Sequence, residues 1–218
     1  MALDRVAAWR AWHSFCGVEP RVRAFLFARL LVAGLGPLEP FFRQLHGRIL
    51  SLGAGHGLVD RYLSEINDTV TIEGIDRDER RVGRATATAA RYPRVRIRLG
   101  DVTSLDGASE YDGALAIDVI HHIPRDRHAR VASALIDALR PGGLLLVKDM
   151  AATPRRQYLW NRFHDRIVVG RVPIWCYAPE GMAEMLRAAG FEIVEVRRLA
   201  RPWGLYPHYA VLARRPDG

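Results

Sequence analysis

The apolar positions of this chain change period along its length. Up to residue 47 they recur at helical spacing: Val22, Phe25, Leu26 and Leu30 share a face, with Arg21, Arg23 and Arg29 between them. Gly34, Gly36, Pro37 and Pro40 then interrupt the pattern. Beyond residue 47, short apolar runs alternate with helical segments, which signals a parallel sheet with crossover helices. The runs predict strands over 48–52, 70–76, 95–100, 111–118, 144–148, 191–199 and 209–214. Helices are expected near 57–65, 78–91, 126–140 and 179–189. In the helix near 126–140, Val131, Leu135, Ala138 and Leu139 form the apolar stripe, and Arg140-Pro141-Gly142-Gly143 is expected to stop it. Pro179 suits the first turn of the next helix, with Met182, Leu186 and Ala189 facing inward. Only a loop from Arg201 to His208 joins the last two strands. That pair is expected to be antiparallel, because a parallel pair needs a longer crossover.

A chain of 218 residues fits one domain. Its expected parts are an N-terminal helical lid (1–47), a ligand-binding half (48–150), an insertion rich in aromatic and polar residues (151–178), and a closing helix with the antiparallel pair (179–218). Cys16 and Cys176 form no zinc-like spacing, which argues for a reduced interior and against a disulfide scaffold. The opening residues carry no signal-peptide core, and the apolar run from Ala24 to Phe42 is broken by Arg29, Pro37, Glu39 and Pro40. The expectation is a cytoplasmic protein without a transmembrane segment. The net charge of +8 invites a nucleic-acid partner. Against it, Lys148 is the only lysine and the arginines are scattered, as the arginine codons of a GC-rich genome would make them. An acidic carrier protein or an anionic lipid surface stays open as a partner, and so does the oligomeric state.

The most informative segment follows the first strand, where Ile49-Leu50-Ser51-Leu52 leads into Gly53-Ala54-Gly55-His56-Gly57 and then a helix. In an open α/β sheet, ligands bind beyond the carboxyl ends of the strands, beside this turn. A dinucleotide fingerprint would need glycine at 58, where Leu58 stands, and no Gly-Lys-Ser/Thr of a P-loop follows. Asp76 ends the second strand and is placed to accept both hydroxyls of a ribose; the plainer alternative is a cap on the helix beginning near Asp78. Asp101, in Gly100-Asp101-Val102, is a candidate acceptor for an adenine amino group or a simple turn aspartate.

With ILSLGAGHG, IEGID, LGDV, YDGALAIDVIHHI and LRPGGLLLVKD in this order, the chain resembles the class I S-adenosylmethionine-dependent methyltransferases over about residues 47–215, in the small-molecule (methyltransferase type 11/12-like) branch. The resemblance implies a Rossmann-like seven-stranded α/β sheet of order 3-2-1-4-5-7-6, its last strand antiparallel, with helices on both faces. It implies S-adenosyl-L-methionine as cofactor and S-adenosyl-L-homocysteine as product. The expected cofactor set is Gly53, Ala54, Gly55, Gly57, Asp76, Arg77, Asp101, Val102 and Asp118. Ser51 departs from the family's usual leading acid, which loosens the network expected behind the methionine amino group.

Methyl transfer is an in-line displacement on a sulfonium, so positioning dominates and a base is needed when a hydroxyl attacks. His121 falls where related O-methyltransferases place a histidine base, with His122 beside it; the alternative is a pair that merely packs against the cofactor. His164 is the second catalytic candidate. Tyr158, Trp160, Asn161, Trp175, Tyr177 and His208, with His122, are expected around the acceptor pocket, unless the insertion is a surface helix. Asp118, His121 and His122 form only a weak metal reading, and no metal is expected. The leading expectation is O-methylation of a phenol, carboxyl, or lipid-like or carrier-bound hydroxyl. C- or N-methylation of a small molecule is the alternative. An RNA or protein methyltransferase is disfavoured because Asp118-Val119-Ile120-His121 stands in place of an Asn/Asp-Pro-Pro-Tyr segment. A non-catalytic cofactor-binding protein would keep the glycines and Asp76 but lack an acceptor pocket.

Overall fold

The computed structural model describes residues 3–105, 109–151, 174–199 and 207–217. Seven strands form one sheet: β1 (Gly47–Leu52), β2 (Val70–Asp76), β3 (Val95–Leu99), β4 (Tyr111–Ile117), β5 (Leu139–Met150), β6 (Glu192–Arg198) and β7 (His208–Arg214). Their order is β3-β2-β1-β4-β5-β7-β6, as the resemblance implied. The first five strands pair in parallel, and β7 runs antiparallel to both β5 and β6. The described helices are α1 (Arg5–His13), α2 (Pro20–Val32), α3 (Leu35–Phe42), α4 (Leu58–Ile66), α5 (Glu79–Ala87), α6 (His128–Ala138) and α7 (Pro179–Ala188).

Two cores flank the sheet. One joins α1–α4 to Ile49, Ile72, Leu115 and Leu146; the other joins α6 and α7 to Leu50, Ile75, Ala116 and Val147. Alternate strand residues thus serve opposite faces, and both faces are covered, which explains why the central strands read as nearly continuous apolar runs. On α6 the stripe Val131, Leu135 and Ala138 is buried as expected. Each larger side chain there contributes about 1.5–3 kcal/mol by leaving water.

The structure departs from the sequence pattern in two places. β5 starts at Leu139, directly after α6, and pairs there with Tyr111, but the continuous register begins only at Leu144 beside Gly113. Arg140-Pro141-Gly142-Gly143 between them pairs with no β4 residue, with Gly142 at φ +74°, and ends α6 as expected. The expected helix over 78–91 breaks at Thr88 into α5 and a short turn, Ala89–Arg91. The Thr88 hydroxyl donates to the Arg84 carbonyl at 2.8 Å, and Arg61 takes the Ala85 carbonyl at 2.8 Å, so side chains occupy acceptors that a continuing helix would use.

At the N-terminus, Gly34 at φ +67° turns the chain between α2 and α3, whose axes differ by 72°. A non-glycine side chain is strained there. The turn lets α3 bury Leu38, Phe41 and Phe42, while α2 crosses the carboxyl ends of the strands.

Candidate active site

The carboxyl ends of β1, β2 and β4, together with α2, enclose a cavity of about 440 Å³. Its first wall is the glycine loop. Gly53, Gly55 and Gly57 have φ of +61°, +59° and +76°. At Gly53 a Cβ would lie 2.4 Å from Val119 Cγ2, so this position keeps the loop close to the β4 end. The tight path directs the Gly55 N–H onto Asp76 Oδ2 at 2.8 Å.

Asp76 Oδ1 accepts the Asp78 N–H at 2.9 Å. The cap of α5 is Asp78 itself, which accepts from Arg80 and Arg81 N–H groups. Each Asp76 oxygen therefore carries one backbone hydrogen bond and retains acceptor capacity, which fits a pair of vicinal hydroxyls. Arg77, Asp101 and Val102 also line the cavity. Asp101 Oδ1 accepts both the Thr103 N–H at 2.8 Å and its hydroxyl at 2.9 Å, and these bonds to Thr103 hold the carboxyl below the usual range.

The second wall is built from ions. Asp118 follows β4 at φ +55°, a left-handed conformation uncommon outside glycine, and lines the cavity. Its Oδ1 lies 2.5 Å from Nζ of the fully buried Lys148, and its Oδ2 lies 3.7 Å from Arg29 of α2. Burial pushes this carboxyl up, but Lys148 and then Arg29 outweigh it and leave the group well below the carboxylate range. Lys148 is lowered by the same burial, partly offset by Asp118.

His121 lines the cavity and is almost fully buried, as is Asp149 at the end of β5. The His121 ring Nδ1 is bonded to Asp149 Oδ1, and the His121 N–H donates to Oδ2 at 3.2 Å. Asp149 Oδ1 also accepts the Met150 N–H at 2.8 Å, so the carboxylate is fixed from several sides. A carboxylate at Nδ1 makes that nitrogen the donor and Nε2 the basic one. His122 packs beside it, ring centroids 4.0 Å apart, and burial, followed by its neighbour His121, pushes its imidazole down to about 4.

His208 lines the same cavity, opposite Met150 in the β5–β7 register. Trp175 and Tyr177, expected around the acceptor pocket, are not among the residues that line this cavity. The Trp175 N–H donates to the His121 carbonyl at 2.9 Å, bracing the histidine from outside. The Tyr177 hydroxyl lies 3.0 Å from His128 Nδ1, while His128 Nε2 donates to the carbonyls of Ile120 and Ile123. Tyr177 thus stabilises the turn that carries His121 and His122. Tyr158, Trp160, Asn161 and His164 lie outside the described residues.

The sequence pattern missed Arg29, Lys148 and Asp149. The one available signal was Lys148, the chain's single lysine, placed at the end of an apolar strand.

The fold and this cavity agree with what the chain matches. A family model described as a methyltransferase domain matches residues 19–196. The chain belongs to this methyltransferase family, with the class I Rossmann-like sheet. No curated protein matches it. Among solved structures, an S-adenosylmethionine-dependent methyltransferase of Methanosarcina mazei is 19% identical with a TM-score of 0.67, covering 84% of this chain and 98% of that one. The 1,6-didemethyltoxoflavin-N1-methyltransferase of Burkholderia thailandensis, solved with 1,6-didemethyltoxoflavin and S-adenosylhomocysteine, is 22% identical with a TM-score of 0.66 and covers 92% of each chain. The methyltransferase SibL is 22% identical with a TM-score of 0.71, covering 98% of this chain and 69% of that one. At these identities the likeness is one of fold.

Proposed function

We propose that this protein transfers a methyl group from S-adenosylmethionine to an oxygen of a small-molecule acceptor: a phenol, a carboxyl, or a lipid-like or carrier-bound hydroxyl. The observation that carries the reading is the buried His121–Asp149 pair on the cavity wall. Such a pair has the chemistry of a general base with a fixed tautomer.

When bound, the cofactor supplies an electrophilic methyl group on a sulfonium. Asp76 takes the ribose hydroxyls, and Asp101 with Val102 takes the adenine. Asp118 and Arg29, 3.7 Å apart and opposite in charge, suit the ammonium and carboxylate of an amino-acid end. His121 removes the acceptor's proton through Nε2, and Asp149 stabilises the imidazolium that results. Neutral His122 and the apolar α2 residues Phe25, Leu26 and Val32 exclude water from the reacting atoms. The helical segment over the cavity acts as a lid in this reading.

The test presents the enzyme with methyl-labelled S-adenosylmethionine and a panel of phenols, carboxylic acids and lipid alcohols. The expected product is an ether or ester, and His121→Ala lowers turnover by about a hundred-fold while S-adenosylhomocysteine binding is retained. Label on nitrogen or carbon, or full turnover by the variant, contradicts the proposal.

A further inference from the structure

Helices α1 and α2 carry a surface that methyl transfer does not use. Their sequences hold five arginines, Arg5, Arg10, Arg21, Arg23 and Arg29, and no carboxylate. Arg29 turns inward to Asp118, while Arg5, Arg10 and Arg21 are exposed and Arg23 is half-buried. Nearby carboxylates are already engaged: Asp4 caps α1, Glu19 pairs with Arg84, and Glu65 pairs with Arg10 and Tyr92.

The same helices leave large apolar side chains in water: Val6 is 60% exposed, Trp9 56% and Phe27 49%. These residues form one strip. Val6 and Trp9 lie three apart on α1, and Trp9 stacks on His13 with centroids 4.7 Å apart. Trp12, three residues beyond Trp9, meets Phe27 edge to face at 5.4 Å. The Arg23 guanidinium covers Trp12 at 4.7 Å, and Trp12 Nε1–H donates to the Arg23 carbonyl at 2.9 Å, so the strip is held rigidly. Exposed apolar surface rimmed by polar groups marks an interaction site.

Charge selects among the occupants. A second copy docked face to face would bring arginine rims together without opposing carboxylates, which is costly. A nucleic acid would match the arginines but leave the aliphatic part of the strip unsatisfied. Exposed Trp9, Phe27 and Val6 beside the exposed Arg5 and Arg21 suit a bilayer interface, with the aromatic rings at the headgroup level and the basic groups over anionic headgroups. Among the described residues, no single helix is long and apolar enough to cross a membrane.

We propose that α1 and α2 dock this protein on an anionic lipid surface. Trp9 and Phe27 enter the headgroup boundary, and Arg5 and Arg21 contact the headgroups, while Arg10 is engaged by Glu65 and Arg23 by Trp12. The inner face of α2 contributes Phe25, Leu26 and Val32 to the cavity. If the methyl-transfer reading holds, the docked enzyme meets a lipophilic acceptor at the bilayer.

The experiment is co-sedimentation of the full chain with phosphatidylcholine vesicles, with and without phosphatidylglycerol, at low and high salt. Binding to the anionic vesicles is expected to be at least roughly ten-fold tighter and to weaken with salt. Trp9→Ser with Phe27→Ser, and separately Arg5→Glu with Arg21→Glu, are each expected to lower vesicle binding roughly ten-fold. The melting temperature of the arginine variant stays unchanged, so the test remains readable where the serine variant loses stability with its ring contacts to His13 and Trp12. The proposal is overturned if the wild type ignores anionic vesicles or if both variants bind them as well as the wild type does. It is also overturned if the substitutions abolish a dimer or RNA binding instead. The vesicle readout needs no methyl transfer, so the two readings fail separately.

Discussion

The two walls of the cavity are held by different means. At the β1–β2 end, backbone N–H groups of Gly55 and Asp78 hold Asp76. At the β4–β5 end, side chains hold side chains: Lys148 and Arg29 flank Asp118, and Asp149 fixes His121. Backbone donors keep their positions when a nearby side chain is replaced, so the first wall can lose a residue and keep its shape. Buried ions depend on their partners, and removing one strands the other. The first wall therefore suits binding alone, and the second suits both the charged amino-acid end of a ligand and a proton transfer that needs a fixed tautomer.

Lys148→Met is the hardest blow to this contrast. It leaves Asp118 with only the longer Arg29 contact, and the expected loss is about 3–5 kcal/mol of unfolding free energy, read by urea denaturation at neutral pH. Adding Asp118→Asn should restore much of the loss, because the stranded charge goes with it. A loss below about 1 kcal/mol for the single variant would place the pair among the weak surface bridges and erase the difference between the walls. The His121→Ala experiment comes next in size and probes the same wall through turnover.

A smaller effect separates two buried carboxyl groups whose proton affinities are shifted in opposite directions. Asp118 is held ionised by its cations, so its contribution is present above the ordinary carboxylate range and fades in strong acid. Asp60, fully buried on α4 behind the glycine loop with neither carboxylate oxygen hydrogen-bonded among the described residues, is pushed up by burial to about 6. The folded state therefore binds its proton more tightly than the unfolded chain does. Relative stability from Asp60 is present below the unfolded value near 4 and is lost as pH rises through about 6. Asp60→Asn should raise stability above pH 6 by up to about 2–3 kcal/mol, and the gain should vanish by about pH 4. Melting curves of both proteins across this range decide it, since the other titrations are common to both.

The same contrast explains what was legible in the sequence. The glycine loop, Asp76 and the strand order depend on local spacing and on apolar runs, and these can be read along the chain. The ion wall depends on register: Ile117 stands beside Lys148, and Asp149 beside Tyr209, only once β4, β5 and β7 are paired. Arg29 reaches Asp118 only because α2 crosses the strand ends. His121 was visible as a residue type at a strand end, but its Asp149 partner was not. The early start of β5 at Leu139 escaped because its pairing with Tyr111 lies on the far side of the Arg140-Pro141-Gly142-Gly143 turn and depends on the β4 register rather than on local spacing.

The gentlest perturbation bears on the central claim, that the backbone-held wall seats S-adenosylmethionine. Calorimetric titration with S-adenosylhomocysteine should show saturable binding to the wild type and binding at least ten-fold weaker, about 1.4 kcal/mol, to Asp76→Ala with its melting temperature preserved. No binding by the wild type, or equal binding by both, would contradict the account.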